Sequence, residues 1–249
     1  MFIALALAVA ASVAVAVAMT GNQAAPVSAK VTDYYEKNKD ATPTTAPEMT
    51  VAAFLGDSWT SNGPVGVPAL TSRAFNWYSQ PFGQGGTGYR NPGPEVNGVL
   101  PFHTRVDKVA AVDPDIVFVM GGLNDRGPTF GDEAGVRQAA GDLYDQLKVR
   151  VPKAKLIVVG PYFSGDDYPR DLLIVRDAVK AEAAERGIPF IDPIAGEWIT
   201  GQTVNPGSGT APDFIKGTHP NEAGQAHLAE KLVESVRKIP ALAKFTAKS

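Results

Sequence analysis

The chain has 249 residues, three histidines, no cysteine and a net charge of −3. Without cysteine there is no disulfide and no thiol chemistry, and a mildly acidic chain lacking an aromatic-basic patch carries no footprint for nucleic acid. The length beyond the N-terminal leader suits one domain with a full-sized core.

From Phe2 to Met19 every residue except Ser12 is apolar, and no charged side chain occurs before Lys30. A stretch of this kind directs a chain to a membrane, so residues 1–25 read as a secretory signal or an uncleaved N-terminal anchor. Small residues around Ala24-Ala25 offer a cleavage point, and the expected location is secreted or cell-envelope associated. Residues 26–48 turn to Lys, Asp, Thr, Pro and Ala and read as a linker. The domain is expected over 49–240, followed by a C-terminal tail, 241–249.

Met49–Gly56 is a short apolar run ending in glycine, as expected of a buried parallel strand. Ser58 therefore falls just past a strand's carboxyl end, where open α/β sheets place their ligands. Taken alone, Gly56-Asp57-Ser58 also fits a helix cap. Gly83-Gln84-Gly85-Gly86-Thr87-Gly88 satisfies a dinucleotide-loop pattern, with Asp107 further on, but that loop must open a helix. Asn91-Pro92-Gly93-Pro94 cannot continue one, so the match is accidental. His103, after Pro101 and ahead of Val106 and Val109, sits at a helix start.

Asp115–Gly121 and Lys155–Gly160 read as buried strands, and Pro189–Asp192 as a shorter one. Val136, Ala140, Leu143 and Leu147 mark one helix between them; Leu172, Val175, Val179 and Ala183 mark another. Ala226, Ala229, Val233 and Val236 place a last helix, with His219 in the loop entering it and His227 on its partly exposed side. Strands alternating with amphipathic helices give a parallel sheet covered on both faces. The spacing of the histidines and carboxylates shows no zinc site, and neither metal nor cofactor is expected.

A serine hydroxyl is a poor nucleophile until a base takes its proton, so Ser58 has chemical meaning only if a histidine reaches it. Of the three histidines, His219 sits best, in a loop able to aim its ring. Gly121-Gly122-Leu123-Asn124-Asp125, after another apolar run, lies between them in sequence.

With these motifs in order, the chain resembles the SGNH hydrolases, the GDSL-type esterase and lipase superfamily. Gly56-Asp57-Ser58-Trp59-Thr60, Gly85-Gly86-Thr87-Gly88, Gly122-Leu123-Asn124-Asp125 and Gly217-Thr218-His219-Pro220 resemble its successive blocks over roughly residues 49–238. The resemblance implies a three-layer α/β/α, flavodoxin-like fold around a central parallel sheet of about five strands. It also implies a serine esterase, with Ser58 as nucleophile and His219 as base. The oxyanion hole would come from the backbone N–H groups of Ser58 and Gly86 and the side-chain amide of Asn124. Expected substrates are small acyl esters or O-acyl groups on envelope glycans or lipids, handled by a monomer that meets a membrane only through its N-terminal segment. Acyl transfer, or a non-catalytic glycan- or lipid-binding module, is the alternative.

One position departs from the family pattern. The aspartate three residues before the histidine is Lys216 here, and an ammonium cannot accept the ring N–H. A main-chain carbonyl near Lys216 is the expected substitute at Nδ1, with Asp213 the rival. Trp59 and Trp198 are read either as core packing or as a surface for sugar or acyl groups. The segments 89–100 and 199–212 are candidate rims of the cleft.

Overall fold

The computed structural model describes residues 49–60, 63–94, 100–163, 167–201 and 209–246. The expectations placed on residues 1–25 and 26–48 lie outside the described residues. From residue 49 onward the chain forms one compact unit.

The elements alternate in chain order: β1 (Val51–Gly56), α1 (Val67–Phe75), β2 (Tyr78–Gly83), α2 (Val106–Ala110), β3 (Ile116–Met120) and α3 (Glu133–Arg150). β4 (Lys155–Val159), α4 (Arg170–Glu185) and β5 (Phe190–Ile191) follow. The last part holds α5 (Ala211–Phe214), the two-stranded β6 (Ile215–Lys216) and β7 (His219–Pro220), α6 (Glu222–Arg237) and α7 (Ala243–Thr246). The main sheet is parallel throughout, in the order β2-β1-β3-β4-β5. This is the flavodoxin-like strand order, and the chain reverses direction across the sheet between β1 and β3.

The apolar runs of β1 and β3 are continuous because both faces are covered. Ala52, Phe54, Ile116, Phe118 and Ile157 pack on one face against Leu228, Leu232 and Val236 of α6. Ala53, Leu55, Val117 and Val119 pack on the other against Val136 and Leu143 of α3 and Val175 and Val179 of α4. Register puts Phe54 opposite Phe118, and their rings stack with centroids 4.9 Å apart. All eight residues expected to mark α3 and α4 are buried. In α6, Ala226 is exposed, and Leu228 and Leu232 take the buried positions instead.

α1 and β2 carry no clear sequence signal. β2 is an edge strand with Pro81 inside it, a position where the missing N–H is tolerated. The segment expected as a free tail is also docked: Leu242 is fully buried in the core, and the Trp77 indole donates to the Phe245 carbonyl at 2.8 Å.

Candidate active site

β1 delivers Ser58 to the crevice at the reversal point. Gly56 ends the strand because a Cβ there would meet the Met120 carbonyl oxygen at 2.3 Å, so only glycine lets β3 come this close. A single 3₁₀ turn, Ser58–Thr60, follows. Asp57 holds that turn, its Oδ1 accepting from the Trp59 N–H at 2.9 Å and its carbonyl from the Thr60 hydroxyl at 2.7 Å. The capping role and the nucleophile position thus fall on adjacent residues: Asp57 caps, and Ser58 is left to face the cleft.

In the turn after the neighbouring strand β2, Gly86 adopts φ +76°, and a Cβ there would meet Pro94 Cδ at 2.9 Å. Glycine is required on both counts. Its N–H donates to no group among the described residues. Gly83 closes β2, and residues 84–88 form a turn and loop rather than a helix start, as the following prolines require. Asn124 sits in a 3₁₀ turn, Leu123–Asp125, entered through Gly122 at φ 119°. One hydrogen of its amide goes to the Thr87 carbonyl at 2.9 Å. That bond aims the amide and leaves its second hydrogen for another acceptor.

The supporting polar groups are buried, and their roles are visible only in the folded chain. Asp125 accepts from three backbone N–H groups, those of Tyr89, Arg90 and Asn91, at 2.8, 2.8 and 3.0 Å. Burial pushes its carboxyl upward against the pull of those donors. Arg105, 3 % exposed, ties the carbonyls of Gly56 and Phe82 and the Thr87 hydroxyl together at 2.8, 2.5 and 3.0 Å. Burial lowers this guanidinium to about 10, with the Asp57 charge working against that shift. Burial likewise raises the Asp57 carboxyl to about 7, opposed by the Trp59 N–H, so that it holds its proton well above the ordinary carboxylate range.

His219 arrives on a different device. β6 and β7 pair antiparallel, Lys216 opposite His219, around Gly217-Thr218. Gly217 has φ +65° while Thr218 has no positive φ, the pattern of a type II′ hairpin with glycine first. His219 Nε2 lies 2.8 Å from Ser58 Oγ across 161 residues of sequence. Directly opposite residues in such a pair project to the same face, so position 216 lies beside the imidazole.

No carboxylate and no main-chain carbonyl meets Nδ1 among the described residues. It lies 3.1 Å from Thr218 Oγ. For Nε2 to accept the serine proton, Nδ1 must carry the ring hydrogen and donate it to the threonine hydroxyl. The expected carbonyl is therefore replaced by a hydroxyl. Asp213, the rival, contributes only its main-chain carbonyl, to the Asn221 side chain at 2.7 Å.

The cleft over these groups has a volume of about 480 Å³ and is bordered by Ser58, Gly86, Asn124, Arg126, Thr218 and His219, among others. Trp59 and Trp198 are 2 % and 5 % exposed and both pack against Tyr162, Trp59 stacked and Trp198 tilted, with centroids 5.3 and 5.9 Å from it. Core packing is thus the role of Trp198, while Trp59 also lines the cleft, its ring 6.4 Å from that of His219. Of the expected rims, Tyr89 is buried against Tyr144 and Phe102, and 95–99 and 202–208 lie outside the described residues. His103 is exposed, and His227 bonds the Trp198 carbonyl at 2.7 Å, so neither enters the site. Among the described residues no group of three or more His, Asp or Glu could hold a metal ion.

The profile of the GDSL-like lipase/acylhydrolase family matches residues 54–227, from β1 into α6 and through every residue of this site. The chain belongs to that family. It is a hydrolase acting on ester bonds. "GDSL lipase Rv0518" of Mycobacterium tuberculosis is 30% identical over 195 residues, 72% of this chain and 78% of that protein. Among solved structures, Est24, a carbohydrate acetylesterase from Sinorhizobium meliloti, matches with a TM-score of 0.57 at 16% identity, over 75% of this chain and 98% of that one. A family two carbohydrate esterase from Clostridium thermocellum, in complex with cellohexaose, matches with a TM-score of 0.56 at 19% identity, over 77% and 65%. These two likenesses concern the fold.

Proposed function

We propose that this hydrolase is a serine esterase working through an acyl-enzyme on Ser58. The observation that carries the reading is the 2.8 Å contact between Ser58 Oγ and His219 Nε2 at the mouth of the reversal-point crevice. Ser58 Oγ attacks the ester carbonyl while Nε2 takes its proton, and the carbonyl oxygen gains the negative charge. The Ser58 and Gly86 N–H groups and the free Asn124 amide hydrogen stabilise that charge, each worth about 3 kcal/mol in sites of this kind. The intermediate collapses by expelling the alcohol, which receives the proton from the imidazolium. Water then repeats the sequence, releasing the acid and restoring the serine.

The substrate we infer is a small acyl ester, including O-acyl groups on glycans. The restricted cleft volume and the carbohydrate esterases among the fold's neighbours support it. Export through the apolar N-terminal segment belongs to the same reading; among the described residues no helix is long and apolar enough to cross a membrane. The test is labelling of the purified protein with a fluorophosphonate probe beside turnover of 4-nitrophenyl acetate. Labelling and turnover that both vanish in Ser58→Ala, with the unfolding midpoint unchanged, are expected. Turnover retained by Ser58→Ala would sink the assignment.

A further inference from the structure

Arg126 borders the same cleft, two residues beyond Asn124, where the 3₁₀ turn gives way to extended backbone at φ −65°, ψ 160°. Its guanidinium lies over the Phe163 ring at 6.0 Å from the centroid, and Phe163 in turn packs against Tyr168. An aromatic face steadies a guanidinium without neutralising it. Half of the chain's ten arginines pair with carboxylates among the described residues; Arg126 is not one of them, and of the unpaired ones it is the one that borders the cleft. No carboxylate is among the described residues that line the cleft. The chain as a whole is acidic, at −3, so this is a local cationic spot placed against the trend.

Resting on the serine-esterase reading above, we propose that Arg126 is a subsite for an anionic oxygen group, carboxylate or phosphate, carried by the ester substrate. The guanidinium fork suits both groups in a bidentate arrangement, and its position on the Asn124 wall ties that anchor to the carbonyl being attacked. A neutral ester of the same size fills the cleft without engaging it. The charge therefore selects among esters by binding and leaves the chemistry at Ser58 to the residues already described.

The test compares matched esters by kcat/KM. 4-Nitrophenyl hemisuccinate against 4-nitrophenyl butyrate places the anion on the acyl side, and acetylglycerol phosphate against acetylglycerol places it on the alcohol side. Wild type is expected to prefer the anionic member of at least one pair by about tenfold, the scale of one charge-assisted hydrogen bond. The pair that responds identifies where the anion sits and whether it is carboxylate or phosphate. Arg126→Gln should abolish the preference, with the change in KM, while Arg126→Lys keeps part of it and Lys216→Gln keeps all of it. The quantity read is the ratio within each variant, so a general loss of activity cancels. No preference in either pair, or an unchanged ratio in Arg126→Gln, overturns the proposal, as does a preference that follows Lys216 instead. If wild type turns over none of the four esters, the serine-esterase reading has failed rather than the subsite.

Discussion

The two walls of the cleft are held by different means. On the nucleophile and amide side, the loops after β1, β2 and β3 are tied from below by Asp57, Arg105 and Asp125, each at most 3 % exposed. Those side chains reach main-chain groups of Gly56, Phe82, Tyr89, Arg90 and Asn91. On the histidine side, a six-residue hairpin, Ile215–Pro220, carries Lys216, Thr218 and His219, all exposed. Buried charge-assisted hydrogen bonds are strong and costly to break, while exposed ones trade with water. The first wall is therefore part of the fold, and the second is an adjustable part mounted on it.

The contrast is sharpest at Asp125. Asp125→Ala leaves the buried Tyr89 N–H and the half-buried Arg90 and Asn91 N–H groups without their acceptor, and at about 1–3 kcal/mol for a buried group and less for the other two a loss of about 3–5 kcal/mol in unfolding free energy is expected. Urea titration measures it. Its neighbour Asn124 offers the opposite result, because its amide acts on the reacting oxygen. Asn124→Ala should lower kcat about a hundredfold with KM nearly unchanged and little loss of stability. If both substitutions cost stability alike, or if Asn124→Ala raises KM alone, the division of labour drawn here between adjacent residues breaks down.

On the hairpin the effects should be smaller and purely catalytic. Thr218→Val removes the only acceptor seen at Nδ1 among the described residues while keeping the β-branched shape. Water can take over an exposed hydrogen bond, so the loss in kcat should be about tenfold, and Thr218→Ser should restore most of it. The urea midpoint should stay put. A loss of several orders of magnitude would mean that the threonine hydroxyl does as much as a triad carboxylate.

The same contrast explains which parts of the molecule can be read in the sequence. β1, β3, β4, α3 and α4 announce themselves because burial on known faces forces long apolar or 3.6-periodic runs. Ser58, Gly86, Asn124 and His219 are flagged by motif, and the structure gathers all four around one cleft. Arg105 is invisible: a single arginine at the start of a helix resembles any surface arginine until the carbonyls of β1 and β2 are seen converging on it. Asp125 lies inside a motif but shows its role only when the 89–91 loop folds over it. β2 hides behind Pro81, since an edge strand needs no hydrophobic alternation. The hairpin at 216–219 reads as loop because two-residue strands have no period, although Gly217-Thr218 is a legitimate type II′ pair. That short piece of β structure matters most for the chemistry of position 216.

Lys216 is the cross-strand partner of His219, so the lysine occupies the place from which a carboxylate would face the ring. Lys216→Asp exchanges a positive for a negative charge beside the imidazole without altering the turn. At this exposed separation the exchange is worth about 1 kcal/mol, or about fivefold. The negative charge stabilises the imidazolium that forms as Nε2 takes the serine proton, so kcat should rise by about that factor at a pH where the ring is neutral. The sign on the pH axis follows from the same interaction. A favoured imidazolium persists to higher pH, so the acidic limb of kcat/KM moves upward in the variant relative to wild type. Salt should shrink both effects, because the pair is at the surface. A limb that stays in place or moves downward would show that the side chain at 216 turns away from the ring in solution. The hydroxyl of Thr218 would then be the one group of the hairpin acting on the histidine.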